Sequence, residues 1–320
     1  MRTRQLPWLA AVIIPLISVP ALTLETPSPD RPRLGLVVGG GGAKGGAHVG
    51  VLAVLDELRV PVDCVVGTSM GALVGATFAS GTSPAVIERL VSDINWGETV
   101  GGLGARHRMP IERKLAPQPY TNSLEFGISE GEFRTPGGLV ITQNIEDTIR
   151  SLVADTRDIE SFDDLALPYR AVATDLVASE MVILDRGDLS VAMRASMAIP
   201  GVFSPVVDGD RVLVDGGLMR NIPVDVAREL CADVVIAVWF PEPDAGPMDD
   251  LSPVSAMYRS LLAVVLANEN EQIESLTGDD VNLAVPLGDL GSAEFDRVPE
   301  AIELGRAAAS AARESLERYA

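Results

Sequence analysis

Leu34-Gly35-Leu36-Val37-Val38-Gly39-Gly40-Gly41-Gly42-Ala43-Lys44-Gly45-Gly46, together with Val62-Asp63-Cys64-Val65-Val66-Gly67-Thr68-Ser69-Met70-Gly71, decides the fold. Each stretch is a short apolar run that stops in glycine. Runs that are apolar throughout, rather than alternating, suit strands covered on both faces. The helix-length segment 45–58 lies between them, so strand, helix and strand read as a parallel crossover. Such a crossover brings both strand ends to one edge of the sheet, where ligands of open α/β sheets bind. The glycine loop and Ser69 should therefore be neighbours.

Outward from that unit the alternation continues. Further valine-, isoleucine- and leucine-rich runs at 169–174, 181–185, 211–214, 233–239 and 281–285 read as strands. Helical periodicity covers 70–80, 84–93, 142–154, 223–231, 252–276 and 299–318. The expected class is α/β, three-layered, with a largely parallel central sheet flanked by helices. One domain is expected over 33–320, preceded by a proline-bearing linker at 22–32 with Pro27, Pro29 and Pro32. Residues 96–137 break the rhythm with Gly101, Gly102, Gly104, Pro110, Pro117 and Pro119; a binding lid and a plain surface loop are equal readings there. The apolar stripe of 252–276 is expected to face the core rather than a membrane.

Composition narrows the partners. The chain has 320 residues and a formal net charge of −20, with lysine only at Lys44 and Lys114. That charge opposes nucleic acid, which needs a basic stripe, and opposes a polybasic lipid anchor. The basic cluster Arg106, His107, Arg108, Arg113 and Lys114 is read as a solvated loop. Arg2 and Arg4 precede an apolar stretch ending near Val19-Pro20-Ala21, the pattern of a signal peptide or membrane anchor over 1–21. Export to the periplasm or medium, or anchoring by that segment, is the expectation. Cys64 and Cys231 are expected to be free and packed, although an exported protein could join them. Two histidines and no Cys/His cluster make a zinc site improbable.

Ser69 sits between a strand and a helix in Gly67-x-Ser69-x-Gly71. A serine at such a junction takes a strained backbone that exposes its hydroxyl, and the helix start adds partial positive charge. An N-capping serine is the plain alternative. The glycine loop offers converging N–H groups for an anion. It lacks the G-K-[ST] of a Walker loop, since Gly45 follows Lys44. Gly40, Gly42 and Gly45 satisfy G-x-G-x-x-G formally, which keeps a nicotinamide-dependent oxidoreductase as an alternative. That reading wants an acid at the end of the second strand, and Asp63 lies at its start. An oxyanion hole fits better. No histidine follows His107, so a late histidine base is excluded, and His48 shares a helical face with Val51, Leu52 and Leu55 as a core residue would. Asp215, ending the run 211–214 and followed by Gly216-Gly217, is the remaining base; desolvation would strengthen it.

These blocks resemble the patatin-like phospholipase family of single-domain bacterial type. The resemblance runs through Gly39 to Leu52, Gly67 to Gly71, Ala173 to Leu176, Arg194 to Phe203, Asp215-Gly216-Gly217 and Asn221 to Val224. It implies a patatin-like fold, a catalytic dyad of Ser69 and Asp215, and an oxyanion hole from the amides of Gly40, Gly41 and Gly42. Lys44, Gly45, Gly67, Gly71, Gly216 and Gly217 would support these motifs, with Lys44 standing where arginine is common. Hydrolysis of fatty-acyl esters of phospholipids, lysophospholipids or related lipids is implied, without metal or organic cofactor and with transient contact at a membrane surface. A silent lipid-binding module is the further alternative.

Overall fold

The computed structural model describes residues 31–100, 127–129, 132–134, 142–242 and 253–320. The N-terminal segment 1–21, nearly all of the linker, the basic cluster 106–114 and most of the 96–137 excursion lie outside them. The chain divides into two units, Met1–Arg31 and Pro32–Ala320, and every described helix and strand belongs to the second.

Strand β1 (Leu34–Val38) leads through a 3₁₀ turn, Gly42–Gly46, into helix α1 (Ala47–Leu58). Then come β2 (Val62–Thr68), α2 (Met70–Ala79), α3 (Pro84–Asp93) and the single turn α4 (Trp96–Thr99). A separate small hairpin, β3 (Gly127–Ser129) with β4 (Glu132–Arg134), precedes α5 (Thr142–Leu152). Next are β5 (Tyr169–Asp175), β6 (Glu180–Leu184), α6 (Leu189–Ser196), β7 (Val206–Asp208), β8 (Arg211–Asp215), α7 (Gly217–Arg220) and α8 (Val224–Leu230). The chain closes with β9 (Val234–Trp239), α9 (Pro253–Glu274), β10 (Val281–Ala284), α10 (Val298–Ala311) and α11 (Arg313–Glu317).

The sheet runs β10-β9-β1-β2-β5-β8-β7, with β6 also on β5. From β10 through β5 every pairing is parallel, whereas β5–β6, β5–β8 and β7–β8 are antiparallel. The α/β class with a mostly parallel sheet is therefore correct, and β7 and α6 are elements the periodicity did not announce. Asp188 caps α6 by accepting the amide of Ser190 at 2.8 Å, the one local signal available.

Alternation along the strands builds the layers. Leu36, Val38, Val65, Ile236 and Val238 join one core with residues of α1, α2, α3 and α10. Their neighbours Val37, Val66, Val172, Val235 and Ala237 pack with Val224, Val226 and Ala227 of α8 in a second core. Successive side chains point to opposite faces, so apolar residues at every position demand cover on both.

The expectation of free cysteines is corrected. Cys64 of β2 and Cys231, at the end of α8, form a disulfide with Cα atoms 6.3 Å apart. The two approach because α8 lies tight on the sheet: a β carbon at Gly35, the partner of Cys64, would meet the Ala232 side chain at 2.5 Å. Nothing local in the sequence encodes that proximity. The bond spans a sequence separation of 167 residues, and removing a native disulfide typically costs about 2–5 kcal/mol. Replacing both cysteines with alanine should lower the unfolding free energy by that order, read from urea melts, with the wild type under reductant shifting similarly. Superimposable melts would show that the bond contributes no stability.

Candidate active site

Pairing of β1 with β2 sets Val38 opposite Gly67, so the chain leaves both strands at the same edge. After β1 it forms the glycine loop; after β2 it turns at Ser69. Ser69 has φ 53° and ψ −123°, a region non-glycine residues avoid. The turn needs close backbone approach: a β carbon at Gly71 would sit 2.1 Å from the Val38 carbonyl oxygen. One at Gly67 would sit 2.6 Å from that of Gly71. The Ser69 amide donates to Ser196 Oγ at 2.9 Å, and that hydroxyl donates to the Val172 carbonyl at 2.6 Å. At the start of α2 the Ser69 side chain makes no capping hydrogen bond, which leaves its hydroxyl free of the helix amides.

Asp215 arrives from the opposite direction. Because β8 is antiparallel to β5, Asp215 pairs with Ala173, one residue beyond Val172, which pairs with Thr68. Strand β8 thus enters from beyond the end of β5 and stops at the level of Ser69. The Ser69 side chain interacts with the Asp215 carboxyl. Gly217 donates its amide to Asp215 Oδ1 at 2.8 Å. Gly216 crosses directly over β5, where a β carbon would meet the Val172 oxygen at 2.2 Å. Burial pushes the Asp215 carboxyl up to about 6, against the opposing effect of the Ser69 and Gly217 hydrogen bonds.

In the glycine loop, the amide of Gly39 donates to Val238 and that of Ala43 to Ser292. Among the described residues, the amides of Gly40, Gly41 and Gly42 donate to nothing. Gly42 has φ 58° and presses on the Ser292 carbonyl. Gly40 lies beside Ser69, since a β carbon there would be 3.1 Å from Ser69 Cβ. Gly45 packs under the Met70 side chain. Lys44 is buried and pairs with Glu242 at 2.5 Å rather than facing the pocket as a free cation.

All five principal candidates, Ser69, Asp215, Gly40, Gly41 and Gly42, line one pocket of about 160 Å³. Its walls are apolar: Ile199, Leu218 and, from α9, Leu261, Leu262, Val265 and Leu266. The stripe on α9 was expected in the core; it lines the pocket instead, while Met257 and Val264 of the same helix are exposed. Asp63, which a dinucleotide site would need near the loop, accepts the Leu34 amide at the opposite end of β1. His48 is a fully buried core residue, as read from its helical face.

Asn268 and Glu269 carried no sequence signal for the site, and Asn221 joins them there. Asn221 donates from Nδ2 to Glu269 Oε1 of α9 at 2.5 Å, and its Oδ1 lies against Gly40 and Gly217. Asn268 accepts the Asn221 amide at 2.8 Å and donates to the Gly217 carbonyl at 2.9 Å. Glu269 is buried, and desolvation raises its carboxyl to about 7; Glu242 adds to the rise and the Asn221 hydrogen bond and Lys44 oppose it. Asn221 was visible only as part of a motif. Glu269 lies in an ordinary helical pattern, and docking of α9 alone makes it a pocket residue.

Comparison with known proteins agrees with this architecture. The family described as patatin-like phospholipase matches residues 36–228. An uncharacterized NTE family protein of Mycobacterium tuberculosis is 35% identical over 225 residues, 70% of this chain and 53% of that protein. Patatin-like phospholipase domain-containing protein 7 of Mus musculus is 35% identical over 219 residues, 68% of this chain and 14% of that one. The chain thus spans about half the length of its mycobacterial relatives and a small part of the mouse protein. The crystal structure of VipD from Legionella pneumophila shares the fold, with TM-score 0.50 and 15% identity over 91% of this chain and 68% of that one.

Both buried carboxyls hold a proton more tightly in the fold than in the unfolded chain. Their contribution to stability is complete below about pH 4 and is lost as pH rises through about 6 for Asp215 and about 7 for Glu269. Asp215→Asn should therefore gain stability relative to wild type between pH 4 and pH 8, by about 3 kcal/mol at the upper end. Urea melts at both pH values read the difference; a gap that does not change with pH would contradict a desolvated carboxyl.

Proposed function

This chain belongs to the patatin-like phospholipase family, whose members are generally lipid acyl hydrolases, and from that premise we propose that it is a serine acyl hydrolase cleaving fatty-acyl esters of phospholipids or lysophospholipids. The observation that carries the reading is the meeting, in one apolar-walled pocket, of a strained serine, a desolvated aspartate and three glycine amides that donate to nothing among the described residues.

In the proposed cycle Asp215 accepts the Ser69 hydroxyl proton as Oγ attacks the ester carbonyl carbon. The carbonyl oxygen becomes an oxyanion held by the amides of Gly40, Gly41 and Gly42, with the start of α2 behind Ser69 adding partial positive charge. Collapse breaks the ester C–O bond, and the leaving alcohol takes the proton from Asp215. Water then attacks the acyl-enzyme with Asp215 again as base, Ser69 recovers its proton, and the fatty acid leaves. Raising the Asp215 carboxyl to about 6 makes it a stronger base while leaving it mostly ionised near pH 7.5. The wall formed by Leu261, Leu262, Val265 and Leu266 suits an acyl chain. Export by the N-terminal segment belongs to the same proposal, and the Cys64–Cys231 bond supports it, because disulfides persist in oxidising compartments.

Ser69→Ala and Asp215→Asn should each reduce turnover of a chromogenic fatty-acyl ester and of phospholipid vesicles by about 10³-fold or more, with the fold retained. Full turnover in either folded variant rejects the dyad. Liposome binding without fatty-acid release by the wild type would favour the silent binding module. For the active enzyme, kcat/KM should fall below about pH 6, as Asp215 becomes protonated and cannot accept the serine proton; a rate that rises on acidification would reject Asp215 as base.

A further inference from the structure

His48 is a buried titratable group that the proposed catalytic cycle does not use. It is the second residue of α1 and is wholly inaccessible to solvent. Its Nε2 lies 2.8 Å from the Gly39 carbonyl oxygen. That oxygen can only accept, so Nε2 carries the hydrogen. Nδ1 is buried without a partner among the described residues, so the ring holds one proton and is neutral. Burial lowers its pKa to about 4, so it stays neutral through the working range. The ring packs on Phe240 at 4.8 Å between centroids, which fixes its plane.

The Gly39 carbonyl and the Gly40 N–H belong to one planar trans peptide and point in opposite directions. Four consecutive glycines impose almost no preference on that plane, because no β carbon resists its rotation. One hydrogen bond holds that plane directly, from His48 Nε2 to the Gly39 carbonyl, while the preceding peptide is fixed by the Gly39 N–H donating to the Val238 carbonyl at 3.0 Å. With the carbonyl held against α1, the Gly40 N–H is turned away from α1, at a residue that lines the pocket. We propose that His48 is a positioning residue of the oxyanion hole, locking the Gly39–Gly40 peptide so that the Gly40 amide faces the pocket before substrate arrives. The inference rests on the acyl-hydrolase reading and adds to it a residue that never touches substrate. Preorganised donors accelerate a reaction because they need not reorient as charge develops. A neutral imidazole can serve as such an anchor without bringing a competing charge near the anion.

Phenylalanine at 48 keeps a packed ring but has no donor. Asparagine keeps a donor that falls short of Gly39, and glutamine carries one to roughly the place of Nε2. His48→Phe and His48→Asn should each lower kcat about 10²-fold on a soluble acyl ester, the size of losing one oxyanion donor, with KM within about twofold of wild type. His48→Gln should recover at least about a tenth of the wild-type kcat. The rate at which an organophosphonate labels Ser69 should fall in the same ratio as kcat. Unchanged kcat in folded His48→Phe or His48→Asn overturns the inference, and so does glutamine no better than asparagine. A loss confined to KM, or one matching only the unfolded fraction in thermal melts, overturns it as well. Ser69→Ala, run alongside, separates the two claims: activity surviving there defeats the hydrolase reading itself. A dead Ser69→Ala beside a fully active His48→Phe defeats only the role of His48.

Discussion

Parallel pairing of β1 and β2 is the constraint on which the site depends. Two adjacent parallel strands must end at the same edge, and here both end in glycine-permitted turns. Among the described residues, the first turn leaves three amides undonated; the second forces Ser69 into a positive-φ conformation. Each is costly in isolation. Strain of this kind persists only where the surroundings over-determine it. Here Ser196 holds the Ser69 amide, α2 presses on the Val38 carbonyl, and Ser292 closes the far side of the glycine loop.

The electrostatics follow from the same crowding. A pocket walled by leucine, isoleucine and valine excludes water from two carboxyls, and desolvation favours their protonated forms. In the proposed cycle this makes Asp215 a base suited to neutral pH. The fold sacrifices some stability at that pH for the arrangement, as active sites commonly do. Lys44, which the glycine-loop pattern places beside the site, is neutralised by Glu242 and so leaves the loop amides as the positive pole of the pocket.

Helix α9 connects the polar framework to the apolar wall. One part of it supplies Leu261, Leu262, Val265 and Leu266 to the pocket; the next turn supplies Asn268 and Glu269, which bind the segment after Asp215. The apolar wall and the bracing of the segment after Asp215 are thus carried by a single helix. Met257 and Val264 remain on its open side, and among the described residues no helix is long and apolar enough to cross a membrane.

Much of this was legible in the chain. Strands β1, β2, β5, β8 and β9 are marked by continuous aliphatic runs, and the glycine loop and Ser69 by residue types that only a tight turn requires. Asp215 was identified by the absence of a late histidine and by Gly216-Gly217. These features are local: side-chain shape and backbone freedom write them into consecutive positions. The antiparallel entry of β8, the disulfide between Cys64 and Cys231, the turning of α9 toward the pocket and the burial of Glu269 left no such mark. Each joins segments separated by dozens of residues, and their approach is decided by how the layers pack. The sequence alone determined which groups could react; only the tertiary structure decided which of them meet, because distance, desolvation and the direction of a peptide N–H belong to packed surfaces rather than to a string of residues.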